Sequence, residues 1–141
     1  MALAQITRLF GIDVGHRLLK HESKCRHVHG HRYGIEVTVA AEKLDEVGRV
    51  LDFSEIKSRV GNWLDDTWDH GFIAQEGDPI IEWLRANEMK HVIYPFPPTA
   101  ENLVEYLATK ALPHVLKGTP CHVTKVVLHE TPNCTAEYVV G

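Results

Sequence analysis

Between Arg32 and Val39 the chain alternates without a break, with Tyr33, Ile35, Val37 and Val39 on one parity and Arg32, Gly34, Glu36 and Thr38 on the other. A period of two over that length describes a half-buried antiparallel strand, and it predicts one across residues 31–42. The residues just before it carry the chemistry. Cys25, His29 and His31 form a C-x-x-x-H-G-H run, with His16 nine residues upstream of the cysteine and His27 inside the run. If residues 29–31 are extended, His29 and His31 point the same way on either side of Gly30. Two imidazoles so placed reach one ion with little backbone distortion, and His16 on a neighbouring element is the natural third. Three histidines leave a fourth position open, as a catalytic zinc requires. The same residues could instead close a four-ligand site with Cys25 that only staples the fold. Spacing alone leaves the ligand set open, because His27 shares the parity of His29 and His31.

Charge favours the catalytic reading. Residues 16–32 hold Arg17, Lys20, Lys24, Arg26 and Arg32 against Glu22, a net of +4 in a chain whose total is −4. A basic island around a metal in an acidic protein suits a small anionic substrate. It does not suit nucleic acid, which needs a larger and more basic face. No run of 18 apolar residues marks a membrane span. The first residues lack the basic and apolar regions of a signal peptide. Three cysteines are an odd and sparse set for a disulfide framework. Together these predict a cytoplasmic protein, and 141 residues at 44% hydrophobic predict a single domain over 1–141.

Residues 2–12 read as a first strand continuing towards His16, and Val50-Leu51 as a short extension after a turn at 45–49. Asp52, three before Glu55, opens a helix over about 53–66 with Ile56, Val60, Trp63 and Leu64 inward. Asp78-Pro79 opens a shorter helix, with Trp83 and Leu84 as its buried side chains. Thr99 caps a third helix through Leu103, Val104, Leu107 and Ala111, ending near Pro113. Residues 121–130 and 135–140 pair as a terminal hairpin. The result is an α+β domain with helices on one face of an antiparallel sheet, and its open edges favour oligomerisation.

Other side chains stand out. In Asp69-His70-Gly71 the carboxylate can fix the imidazole tautomer so that His70 passes a proton, if the turn allows them to meet. Glu130 ends an apolar strand, where it can accept two parallel N–H bonds from a guanidine-like edge. Glu101 stands at a helix N-terminus, where an acid is favourable. Cys121 and Cys134 read as structural.

On these residues the chain resembles the 6-pyruvoyl-tetrahydropterin synthase family, and within it the bacterial 6-carboxytetrahydropterin synthase (QueD) branch. The resemblance runs in order through His16-Arg17-Leu18, Cys25-x-x-x-His29-Gly30-His31, Leu51-Asp52-Phe53-Ser54-Glu55, Asp69-His70, Pro98-Thr99-Ala100-Glu101-Asn102 and Glu130-Thr131. It implies zinc (Zn2+) on His16, His29 and His31, with His27 outside. It also implies Cys25, Asp69 and His70 as catalytic residues and Glu130 as the pterin anchor. Thr99 and Glu101 join Glu130 as substrate-binding candidates. The implied fold is the tunnelling fold (T-fold): a four-stranded antiparallel sheet with helices packed on one face, in trimers and hexamers whose active sites lie between subunits. The implied activity is a zinc-dependent lyase reaction. It converts 7,8-dihydroneopterin triphosphate to 6-carboxytetrahydropterin with loss of triphosphate and acetaldehyde, and needs no redox cofactor. A pyruvoyl-forming synthase on the same substrate and a zinc-stapled binding module are the alternatives. Ile12-Asp13-Val14-Gly15 departs from the Phe-Ser-Ala-Ala the family more often has, and the stretch from Gly71 to Pro98 is longer than usual.

Overall fold

The computed structural model describes residues 3–141. Strand β1 (Gln5–His16) pairs antiparallel with β2 (His29–Ala41) from Gln5–Ala40 to His16–His29. Ala2, the expected start of the first strand, lies outside the described residues. The hairpin β5 (Cys121–Thr131) and β6 (Cys134–Val139) extends the sheet beyond β2, as its β-branched alternation predicts.

Two strands were not expected. After α1 (Phe53–Thr67), β3 (Gly71–Gln75) runs parallel to β1, and β4 (His91–Tyr94) runs parallel to β3. The sheet is therefore six-stranded and mixed, in the order β4-β3-β1-β2-β5-β6, where four antiparallel strands were anticipated. Helix α2 (Ile80–Ala86) is the crossover between β3 and β4. Parallel neighbours need such a connection. The long 71–98 segment is thus a β-α-β unit added at one edge. Val50 is buried, but Val50 and Leu51 form no strand.

Alternation decides which face each helix covers. Even residues of β1 and odd residues of β2 meet α1 and α3 (Ala100–Tyr106) in the main core, built on Ile12, Tyr33, Val37, Ile56, Leu64 and Leu103. Helix α2 is the exception to a sheet covered on one face. Its Ile81 and Leu84 pack on Phe72 and Ala74, which share the opposite side of the sheet with Gly15. Trp83, expected to be buried, is 56% exposed because Ile81 and Leu84 define the inward stripe and turn position 83 outward.

Asp52 starts α1 by accepting from the Ser54 N–H at 2.8 Å, while Glu55 pairs with Arg59 at 3.1 Å and does not close a capping box. Thr99 starts α3 by accepting from the Asn102 N–H at 3.1 Å. The helix passes Pro113 through a wide π-helical turn (Leu107–Ala111) into α4 (Leu112–Val115). Pro113 has no N–H to return to the Thr109 carbonyl, and the wider turn accommodates that gap.

Candidate active site

His16 ends β1, and His29 and His31 begin β2, with His16 directly across from His29. Their side chains share the core-facing side, and the ring centroids stand 4.6, 4.9 and 5.1 Å apart. Gly30 between them sits in close quarters, since a Cβ there would meet the Val14 carbonyl oxygen at 3.0 Å.

Two of the rings are held by their Nδ1 atoms. His16 Nδ1–H donates to the Pro98 carbonyl at 2.8 Å, and His29 Nδ1–H donates to the His27 carbonyl at 2.7 Å. Those bonds fix tautomers that present a bare Nε2. The Nε2 atoms of His16 and His31 are buried without a partner. Burial, with a smaller push from His29 and His31, drives His16 down to about 4 against the raising effect of its Pro98 bond. Burial also lowers His31, against the raising effect of Glu130. Neutral imidazoles with orphaned nitrogens are what a metal ligand must be. The three rings converge as a group able to hold one ion, and Cys25 is not a member of that group. His27 supplies its carbonyl to orient His29 and stays out of the cluster, as expected.

Beside the imidazoles opens a cavity of about 600 Å3, walled by Leu18, Thr99, Glu101, Glu130 and Tyr138. The three residues expected to bind substrate thus meet in one place. Glu130 links the cavity to the imidazole cluster, its Oε1 lying 4.0 Å from His31 Nε2. The Thr99 oxygen accepts as a helix cap and keeps its O–H as a donor, beside the carboxylates of Glu101 and Glu130. Cys25 sits on a short helical turn (Lys24–Arg26), half-buried, and its carbonyl accepts from the Leu18 N–H at 2.8 Å.

Asp69 and His70 do meet, His70 Nδ1 lying 3.1 Å from Asp69 Oδ1, with His70 at φ +59°. Burial works to raise the Asp69 carboxyl, but the Asp13 N–H and the His70 ring together hold it below the usual carboxylate range. The pair is on the other face of the sheet from the imidazole side chains. It lies with Asp13 and Arg32, whose side chains point to the opposite face of β1 and β2. There Asp13 Oδ2 stands 4.0 Å from His70 Nε2 and accepts from Arg32 at 3.2 Å. A second concavity of about 500 Å3 is bordered by Asp13, Arg32 and His70 and, at the start of β2, by His29 and His31.

The sequence model described as 6-pyruvoyl tetrahydropterin synthase matches residues 5–140. The chain belongs to that family. Over 96% of its length it is 37% identical to the 6-carboxy-5,6,7,8-tetrahydropterin synthase of Rickettsia bellii, covering 99% of that protein. Over 95% it is 32% identical to the enzyme of the same name from Aquifex aeolicus, covering 96% of it. Among solved structures, the 6-pyruvoyl tetrahydropterin synthase of Caenorhabditis elegans superposes with a TM-score of 0.73 at 24% identity, over 100% of this chain and 98% of that one. An uncharacterised protein of Wolinella succinogenes superposes with a TM-score of 0.85 at 22% identity over both full chains. The fold is the tunnelling fold of the 6-pyruvoyl tetrahydropterin synthase family.

Two acids escaped the sequence reading of this family member. Asp13 looked only like a departure from the usual strand, and Asp78 only like a helix start. Both contacts span tens of residues, Asp13 with His70 and Asp78 with Arg17, so no local pattern announces them. They also remove Arg17 and Arg32 from the free basic island, leaving Lys20, Lys24 and Arg26 around Cys25.

Proposed function

We propose that the chain is a zinc-dependent 6-carboxy-5,6,7,8-tetrahydropterin synthase. It would convert 7,8-dihydroneopterin triphosphate to the 6-carboxy product with loss of triphosphate and acetaldehyde. The observation that carries this reading is the junction of the three-imidazole cluster with the Glu130 cavity, 4.0 Å apart at His31. The relatives bearing that enzyme name over nearly the whole chain support the product assignment.

Zinc on His16, His29 and His31 would supply a positive charge that acidifies hydroxyl groups held against it. The protein's own side chains would do the rest. Glu130 accepts hydrogen bonds from the pterin amino and ring N–H groups, fixing the ring so that its side chain faces Cys25. Cys25 as thiolate takes a proton from a side-chain carbon. Lys20, Lys24 and Arg26 neutralise the triphosphate. His70, held by Asp69, exchanges the second proton. Because that pair lies across the sheet from the imidazoles, it would serve the site of a neighbouring copy in a trimer-based homo-oligomer, with active sites between subunits.

The test is incubation of zinc-loaded protein with 7,8-dihydroneopterin triphosphate, with products identified by mass. Acetaldehyde and 6-carboxytetrahydropterin support the reading, and a product retaining all side-chain carbons selects the pyruvoyl-forming synthase, the activity in the family's own description. No turnover with zinc bound would favour a binding module.

A further inference from the structure

Residues 17–28 leave the sheet at His16, carry Cys25, and return at His29. The hydrogen bonds within this loop are local: Leu18 N–H to the Cys25 carbonyl, His21 N–H to the Leu18 carbonyl, and His27 N–H to the Lys24 carbonyl. Most of its side chains are exposed or half-exposed. Among the described residues, one hydrogen-bonded link ties the loop to the chain beyond β2, the fork between Arg17 and Asp78.

That fork is well made. Arg17 Nε donates to Asp78 Oδ2 at 2.9 Å, and Arg17 Nη2 donates to Oδ1. Oδ1 also accepts from the Ile80 N–H at 2.9 Å, where α2 begins. The Asp78 side chain is 1% exposed, and both of its oxygens accept hydrogen bonds. A helix start does not require a charge, since Ser, Thr or Asn cap equally well. Nor is a buried ion pair strong evidence of stabilisation, because desolvation offsets its attraction. What a planar fork does supply is geometry: it immobilises Arg17 in one rotamer and orientation. On one side of Arg17 is the ring of His16, on the other Leu18, which lines the cavity and holds the Cys25 turn.

We propose that Asp78, on the β-α-β unit at the sheet edge, is a positioning residue that anchors the Cys25 loop through Arg17. This assignment rests on Cys25 being the reacting thiol, as proposed above. It also gives the long 71–98 segment a role in the site. The β-α-β unit brings a carboxylate to the far face of β1, where it fixes the loop that the near face needs.

Asp78→Asn is the informative variant. It keeps an oxygen for the Ile80 N–H but turns one arm of the fork into a donor facing a donor. In zinc-loaded, folded protein, the Leu18 and His27 amides should exchange hydrogen faster. Alkylation of Cys25 by iodoacetamide, mapped by mass against Cys121 and Cys134, should accelerate about tenfold or more. At saturating substrate kcat should fall about 10- to 100-fold with KM moving less, the size of effect seen when an outer partner of a site is removed. Arg17→Lys, which keeps the charge and loses the fork, should move all three readings the same way, and it carries the test if Asp78→Asn does not fold. Unchanged exchange and alkylation in a folded variant would overturn the anchor. So would a loosened loop with wild-type kcat. A loosened loop in a protein whose wild type turns over no dihydroneopterin triphosphate would leave the anchor standing and remove the proposed reaction.

Discussion

His16 concentrates the chemistry of the site in one ring, buried, tied at Nδ1 and bare at Nε2. Its folded value of about 4 lies below the ordinary 6.5, so the unfolded chain binds a proton that the folded one refuses. The His16 contribution to the stability of the metal-free protein should therefore decline as pH falls from about 6.5 towards 4 and be fully lost below that, where the depressed carboxylates take over the loss. A series of thermal melts over that range checks it, and His16→Gln should flatten the slope. His29→Ala or His31→Ala should lose zinc, read by metal analysis, while keeping the far-ultraviolet spectrum, since the core lies mostly elsewhere. Cys25→Ala should keep both zinc and fold and lose about 10²- to 10⁴-fold in turnover, because the thiol lies outside the imidazole group and its proposed role is that of a base. Glu130→Gln keeps the shape of the anchor but replaces an acceptor by a donor, so kcat/KM should drop about 30- to 1000-fold, or about 2–4 kcal/mol, at unchanged zinc content. A wild-type titration curve would move the anchor to Glu101.

Elements with an unbroken period were legible in the sequence. β2 and the β5–β6 hairpin announce themselves by alternation, and α1 and α3 by their caps and inward stripes. Strand parity likewise put His29 and His31 on one side wherever that strand lies, but it could not exclude His27, and the choice of His16, His29 and His31 came from the family resemblance. β3 and β4 were not legible: at five and four residues, Gly-Phe-Ile-Ala-Gln and His-Val-Ile-Tyr are short apolar runs with no period to count. Missing them hid the second face of the sheet, and with it the separation of Asp69-His70 from the imidazoles. The same gap misplaced Trp83. Leu84→Ala should cost about 2–4 kcal/mol, as large-to-small changes in packed positions do, whereas Trp83→Gln should stay within about 0.5 kcal/mol. Chemical denaturation of the two variants reads the difference directly.

For the whole molecule, the sheet ends in two open edges, β4 and β6, and carries exposed Leu9 and Val139. Open edges and bare apolar side chains favour pairing with further copies. Among the described residues, no helix is long and apolar enough to cross a membrane. If Asp69-His70 serves a neighbour's zinc, Cys25→Ala and His70→Ala proteins should each be inactive alone. Unfolded together and refolded as a mixture, they should regain part of the wild-type rate, because some interfaces then hold one intact half from each parent. A mixture as inactive as its components would put the pair back on its own subunit. The pairing of His16 with His29 has its own consequence for the life of the protein with metals. The separations among the three donors are set by the hydrogen-bonded ladder between β1 and β2 and by the two-residue repeat along β2. A ruler of that kind does not stretch to suit its load. If the imidazoles hold an ion, larger cations should accordingly bind with distorted angles while the strands stay where they are.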